Sequence, residues 1–384
     1  MAPALRVGFF TECYHPIVNG IVASVDTLAE GLRKAGHEVF GFAPHAPGYS
    51  ETDGPIFRMP SLPLPVKTAY RLTLPFVSRG NLNGVIKRLS IIHAHSPFVT
   101  GWMGMRYARR FHIPLVYTYH TQLEKYVHYV PFEAGATRRA ASSLTRTYAN
   151  AADAVIVPTM AMRDHLLQVG VQAPIEVIPT GIDLEFFRTG VRREDLRARF
   201  GSVRGQVLIL CVSRLAREKN TELLLEAVAR AEQPLQLVLV GGGPDRAYLE
   251  LVAGRLQIAD RVIFAGELPR EQLPDLYASA DIFAFPSLSE TQGLVLAEAL
   301  AAGARIVAVD TPQARDVLGG CGTLVDNDAI MLAQAFEKLA GSNQTALERD
   351  MALGAASRFR AELQTEHTLD LYRSLLARRV ALAT

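Results

Sequence analysis

The chain has 384 residues, 49% of them hydrophobic and 20% charged, which suits a soluble globular enzyme of two domains and excludes a disordered chain. No apolar run approaches the roughly 20 residues that cross a bilayer, and the N-terminal MAPALRVGFF is broken by Arg6 and too short for a signal peptide, so a cytoplasmic protein is expected. The net charge of +2 conceals an asymmetry: residues 1–180 hold 17 Lys/Arg against 11 Asp/Glu, the remainder 23 against 27.

Strands and helices alternate along the chain. LRVGFF (5–10) reads as a first strand. A helix near 20–35 follows, with Val22, Val25, Leu28, Ala29 and Leu32 at helical spacing and Gly36 as its stop. Further strands are expected at 37–43, 91–95, 114–120, 153–159 and 175–180, with helices near 98–111, 133–152 and 160–169. The scheme then repeats. Strands at 206–213, 235–242, 261–266, 281–287 and 305–310 alternate with helices near 218–232, 244–257, 270–280 and 293–303. Helices near 329–340, 345–362 and 364–379 close the chain.

This alternation predicts parallel sheets with helical crossovers, and the apolar strand runs fit sheets covered on both faces. The expectation is an α/β protein of two Rossmann-like, doubly wound domains facing a central cleft. The first spans 1–180 and the second 181–363, with a hinge near PTGID (179–183) and a C-terminal helix, about 364–384, packing back on the first domain. Ligands of such sheets bind outside the C-terminal strand ends.

The sharpest constellation is SETQGLVLAEALAAG (289–303). Glu290 lies in the loop leaving a strand, and Gly293 opens a helix whose unpaired N–H groups suit a phosphate. Glu298 is the lone carboxylate among Leu294, Val295, Leu296, Ala297, Ala299, Leu300, Ala301 and Ala302. Buried charge demands partners, and an ionised carboxylate is an acceptor suited to sugar hydroxyls. The bland alternative is that Glu290 caps the helix and Glu298 makes a structural hydrogen bond. VSRLAREKN (212–220) places Arg214 and Lys219 on a loop at a strand's end, where Arg grips a diphosphate bidentately and Lys adds a point charge. Arg217 reads as an ordinary solvated side chain. The three cysteines, Cys13, Cys211 and Cys321, show neither metal-ligand nor disulfide spacing.

VSRLAREKN, GGGPDR (241–246) and the Glu290-x7-Glu298 pair together resemble the family 4 glycosyltransferases of the GT-B fold, over nearly the whole chain. The resemblance implies retaining transfer from a nucleoside diphosphate sugar with no tightly bound metal or cofactor. Arg214 and Lys219 would hold the diphosphate, Glu290 the sugar hydroxyls, and the backbone of Gln292, Gly293 and Leu294 the sugar and phosphate. Glu298 would take the ribose hydroxyls, and the base would rest near Gly266, Glu267 and Leu268. In the first half, Asn19-Gly20 opens a helix whose amides would face the same diphosphate, where many relatives carry two glycines. His120 matches the family's histidine that contacts the donor sugar, whereas His95 and His128 read as structural or interfacial.

The acceptor is read from charge. Between Arg58 and Arg146 stand 13 basic residues and two acidic ones, Glu124 and Glu133. Lys67, Tyr70, Arg71 and Phe76, then Lys125, Tyr126, Val127, His128, Tyr129 and Phe132, then Arg138, Arg139 and Arg146 interleave cations with apolar groups. Such a surface suits an anionic bilayer better than nucleic acid; the alternative is an ordinary basic face. VNGIVASV, HTQLEKYVHY and ETQG resemble the diacylglycerol glucosyltransferase branch, which implies glucose from UDP-glucose, a membrane lipid acceptor and peripheral attachment to the inner face of the cell membrane. The same chemistry on a soluble sugar phosphate or cell-wall precursor is the alternative, and a nucleotide-sugar epimerase a more distant one.

Overall fold

The computed structural model describes residues 3–51, 54–63, 70–75, 82–126, 133–201 and 206–383. The chain divides into two compact units, residues 1–181 with 361–384, and residues 182–360.

The first unit runs β1 (Arg6–Phe10), α1 (Gly20–Lys34), β2 (Glu38–Pro44), β3 (Ile56–Met59), β4 (Ser61–Pro63), β5 (Arg71–Thr73), α2 (Leu82–Ile86), β6 (Ile91–Ala94), α3 (Val99–Phe111), β7 (Leu115–Thr118), α4 (Ala134–Ala149), β8 (Ala154–Val157), α5 (Met160–Gln168) and β9 (Ile175–Val177). Seven of these strands form a parallel sheet in the order β3-β2-β1-β6-β7-β8-β9, and β4 pairs with β5 as an antiparallel hairpin. The sheet is covered on both faces because the apolar residues of its central strands point to both sides. Val7 and Phe9 of β1 pack with Val25, Leu28 and Leu32 of α1, whereas Phe10 joins Phe42, Ile92 and Tyr117 on the other side.

The second unit runs α6 (Leu184–Arg188), α7 (Glu194–Arg199), β10 (Val207–Val212), α8 (Thr221–Arg230), β11 (Leu235–Val240), α9 (Arg246–Arg255), β12 (Val262–Gly266), α10 (Leu273–Ser279), β13 (Ile282–Phe285), α11 (Leu294–Ala301), β14 (Ile306–Val309), α12 (Pro312–Leu318), β15 (Thr323–Val325), α13 (Ala329–Ala340) and α14 (Ala346–Ala356). Its six strands are all parallel in the order β12-β11-β10-β13-β14-β15. Along β10 the side chains alternate between two cores, Leu208 and Leu210 facing one, Ile209 and Cys211 the other.

After Phe359 the chain returns to the first unit as α15 (Ala361–Ala383), which lays Leu369, Tyr372 and Leu375 against the α1 side of the sheet. One helix was expected across 345–362; the structure ends α14 at Ala356 and follows it with a 3₁₀ turn at Ser357–Phe359. The short elements β3, β4, β5, α2, α6, α7, α12 and β15 were not anticipated from the sequence pattern.

In each sheet the strand order reverses once, at β1/β6 and at β10/β13. A crevice opens at such a reversal because the connections depart to opposite faces. The loops leaving those four strands carry most of the candidate residues.

Candidate functional site

In the second unit, Ser213–Asn220 leaves β10 and Pro286–Gly293 leaves β13. These loops are laced together. Asn220, in the left-handed conformation at φ 57, donates its amide to the Pro286 carbonyl at 3.1 Å and to Asn327 Oδ1 at 2.8 Å. The Leu288 amide reaches the Glu218 carbonyl at 3.4 Å. Through this lacing Lys219 Nζ meets Glu290 Oε1 at 2.6 Å, with both side chains largely buried. Arg214 pairs with Glu218, whose side chain is 3% exposed against 46% for the arginine. A cation that holds a buried carboxylate while keeping half of itself in solvent can hold a second anion on its open side.

The GGGPDR segment supports the basic loop from beneath. The Leu215 amide bonds the Gly242 carbonyl at 2.8 Å, and the Asp245 amide returns to the Leu215 carbonyl at 3.0 Å. Gly241, at φ 129, must be glycine: a Cβ there would collide with the Ser213 carbonyl oxygen. The Gly266 carbonyl accepts from the Gly241 amide at 2.8 Å. Leu268 packs half-buried on the core beside it, while the Glu267 side chain is exposed.

Gly293 adopts φ 82 as the N-cap of α11, one residue before the helix begins, and offers no side-chain acceptor to the first-turn amides. Glu290 therefore does not cap the helix. Gln292 is buried beside it and Leu294 half-buried. Ser287 and Ser289, in the same loop, carry buried hydroxyls without a hydrogen-bond partner among the described residues. One turn into the helix, Glu298 Oε2 accepts from the Tyr277 hydroxyl at 2.7 Å. Burial pushes the Glu298 carboxyl above the usual carboxylate range, and the Tyr277 hydrogen bond and the Arg270 charge oppose it. Tyr277 and Glu218 are residues that the sequence reading missed: Tyr277 stands 21 residues before the carboxylate it serves, and Glu218, only four residues after Arg214, is turned inward by the fold rather than by that spacing.

In the first unit, Asn19 is the N-cap of α1. Its Oδ1 accepts from the amides of Ile21 and Val22, both at 3.0 Å, and its Nδ2 donates to Cys13 Sγ at 3.0 Å and Tyr70 OH at 3.2 Å. The cap thus occupies two of the first-turn amides that the sequence places toward an anion. His120 follows β7 and its Nε2 lies 3.0 Å from His95 Nδ1. Burial lowers the His120 imidazole to about 4, so the ring is neutral at neutral pH.

The basic residues separate into two kinds. Arg71 is spent on the hairpin, with Nε 2.9 Å from Ser61 Oγ and a terminal nitrogen 3.0 Å from the Ser61 carbonyl. Lys125, Arg138 and Arg139 are exposed, the two arginines on one stretch of α4, and Tyr126 is half-buried. Lys67, Phe76, Val127, His128, Tyr129 and Phe132 lie outside the described residues. Among the described residues no group of three or more His, Cys, Asp or Glu could hold a metal ion, and no helix is long and apolar enough to cross a membrane.

Two parallel Rossmann-like sheets, with a basic loop and two glutamates at the strand reversal of the second, define a glycosyltransferase of the GT-B class. Residues 18–186 match Glycosyltransferase Family 4 and residues 192–358 match Glycosyl transferases group 1. The chain is 35% identical over 322 residues to an alpha-monoglucosyldiacylglycerol synthase of Streptococcus pneumoniae, covering 82% of this chain and 73% of that one. It is 32% identical over 339 residues to a GDP-mannose-dependent alpha-mannosyltransferase of Mycolicibacterium smegmatis, covering 86% of each. In fold it is similar to HepE from Anabaena in complex with UDP and glucose, with a TM-score of 0.76, 21% identity, and 96% of this chain and 100% of that one covered. The chain belongs to the family 4 glycosyltransferases.

Proposed function

We propose that this glycosyltransferase moves glucose from UDP-glucose, with retention at the anomeric carbon, to a membrane lipid such as diacylglycerol, as a step in glycolipid synthesis at the inner face of the cell membrane. The observation that carries the donor half is the Lys219–Glu290 pair beside Arg214, set on the two loops at the strand reversal of the second sheet. Arg214 and Lys219 neutralise the diphosphate, so no tightly bound metal or cofactor is invoked. Glu290 holds sugar hydroxyls, and the backbone of Gln292, Gly293 and Leu294 receives the sugar and phosphate. Glu298 takes the ribose, and the base lies by Gly266 and Leu268. Asn19 and Gly20 serve the diphosphate, and His120 contacts the sugar. The leaving phosphate oxygen takes the acceptor hydroxyl proton as the new glycosidic bond forms on the face from which the diphosphate departs. No protein nucleophile is then needed.

The lipid half is supported by the exposed Lys125, Arg138 and Arg139 beside Tyr126 and by the names of the pneumococcal relative and of its 30%-identical counterpart in Acholeplasma laidlawii. Basic groups beside an amphipathic ring suit an anionic membrane surface. A GDP-mannose donor is the second reading, favoured by the mannosyltransferase that matches over 86% of both chains.

The test is to incubate the protein with UDP-glucose or GDP-mannose and a diacylglycerol-containing lipid extract, and to weigh the products by mass spectrometry. A hexosyl lipid formed from UDP-glucose is expected. Product from GDP-mannose alone would replace the donor, and product on water-soluble acceptors alone would end the lipid reading.

A further inference from the structure

Three histidine rings stand in a row in the first unit. His93, on β6, is fully buried, with Nδ1 2.6 Å from the Tyr372 hydroxyl of α15 and Nε2 2.6 Å from Thr118 Oγ1 of β7. Its ring lies 4.2 Å from that of His95, tilted by 30°. His95 in turn stacks at 5.3 Å on His120, and their nitrogens Nδ1 and Nε2 are 3.0 Å apart. Phe9 of β1 sets its ring across both His93 and His95, at 5.5 and 4.7 Å. Burial holds the row neutral: His93 is lowered to about 3, His120 to about 4, and His95 well below its usual value.

A neutral imidazole carries one N–H, so the contact between His95 and His120 needs a single donor. Were His120 to donate from Nε2, His95 would have to accept at Nδ1 and carry its own proton on Nε2. His95 Nε2 is buried and has no hydrogen-bond partner among the described residues. An N–H buried without an acceptor is the rarer and costlier arrangement. The proton therefore sits on His95 Nδ1 and is donated to His120 Nε2, and His120 carries its own proton on Nδ1.

We propose that His95 is the positioning residue of His120, fixing its ring and tautomer so that His120 meets the donor sugar as an Nδ1–H hydrogen-bond donor and not as an Nε2 base. This rests on the reading of His120 as the group that contacts the donor sugar. It adds which nitrogen acts, in which protonation state, and what holds it so. A donor N–H suits a sugar hydroxyl oxygen, and it is the wrong state for taking the acceptor's proton, which leaves that proton to the departing phosphate. The hydrogen bond also spends the one His120 nitrogen that would otherwise be a base.

The test has two parts. Nitrogen-15 NMR of histidine-labelled, ligand-free protein, with His120 assigned by its loss in His120→Gln, is expected to show a protonated Nδ1 and an unprotonated Nε2. The opposite tautomer would overturn the proposal. In parallel, His95→Leu is expected to lower kcat on the order of tenfold to 100-fold while donor KM stays within a few fold, and His95→Asn, which keeps an amide donor near the Nδ1 position, is expected to recover most of the loss. Wild-type kcat in His95→Leu would also overturn it. The NMR result needs no substrate and no folded variant of His95. An Nδ1–H tautomer combined with full transfer by His120→Ala would sink the sugar-contact reading on which the proposal stands, and is distinguishable from the wrong tautomer.

Discussion

Lys219 and Glu290 stand 71 positions apart in the chain and meet at 2.6 Å. The pair joins the loops of two adjacent parallel strands, β10 and β13, at the point where the strand order reverses. It is largely sheltered from solvent, so each charge orients the other while the second carboxylate oxygen of Glu290 is left to serve as an acceptor. A half-buried pair of this kind loses most when one partner is removed and the other remains.

Glu290→Ala should abolish transfer with little change in the fold. Removal of one preorganised polar group at a reacting centre costs about 100-fold to 1000-fold in turnover. Product formation and circular dichroism check this together; full activity in a folded variant refutes the assignment. Lys219→Ala removes the other half of the same sheltered pair and should likewise cost transfer.

Arg214→Ala should weaken nucleotide binding more than it slows the bound complex. In the proposed reading its half-exposed guanidinium meets the diphosphate, and it also pairs with the buried Glu218. A charge-assisted contact is worth about 1.5–3 kcal/mol, so UDP affinity measured by titration calorimetry should fall roughly tenfold to 100-fold. Arg214→Lys should recover part of it, because the ammonium keeps the charge and loses the planar fork.

The Tyr277 hydroxyl favours the ionised form of Glu298, against the burial that raises its carboxyl. In the proposed reading Glu298 takes the ribose, and the ionised carboxylate is the form that can accept from two hydroxyls. UDP affinity should accordingly be full at high pH and fall as the pH drops through the raised value. Tyr277→Phe removes the favouring hydrogen bond, raises the carboxyl further and should move that fall to higher pH. Titrations across the acid range check it, and an unshifted profile would remove Tyr277 from the site.

Much of this was legible in the sequence because it is written in short-range pattern. The parallel strands are continuous apolar runs, and Arg214, Lys219 and Glu290 sit just past the ends of such runs, where a doubly wound sheet places its ligands. What stayed hidden is pairing that only the fold creates, whether across the chain or within one loop. Nothing near Glu298 announces Tyr277, 21 residues earlier, and nothing in SRLAREKN says that Glu218 turns inward to hold Arg214. Asn19 read as a departure from a glycine pair, and only the geometry shows that its side chain caps α1. The hairpin of β4 and β5 escaped because its strands are three residues each, too short for a period to register.

The histidine row should make the protein acid-sensitive in a defined window. His93 and His120 are held to about 3 and 4 when folded, against about 6.5 when unfolded. Below pH 6.5 the unfolded chain takes up protons that the folded chain refuses, so stability is full above that value and declines as the pH falls from 6.5 toward 4. Melting temperatures followed by circular dichroism should show that decline. In His95→Asn, which removes one refused proton, the decline should be shallower.

Membrane attachment is the prediction with most at stake for the acceptor. Arg138 and Arg139 are exposed on α4, with Glu133 at the helix N-cap as the neighbouring acidic charge of Arg138. Each basic side chain near an anionic surface contributes about 1 kcal/mol, screened within a Debye length. Replacing both with Ala should therefore weaken binding to phosphatidylglycerol vesicles by roughly 30-fold, the factor that about 2 kcal/mol represents. Flotation at low and high salt measures this directly, and the wild-type protein should leave the vesicles as salt rises. Transfer to a water-soluble acceptor analogue should be unchanged in the same variant, because α4 lies outside the donor-binding loops. A wild-type protein that ignores anionic vesicles at low salt would take away the physical support for a lipid acceptor while leaving the donor site as described.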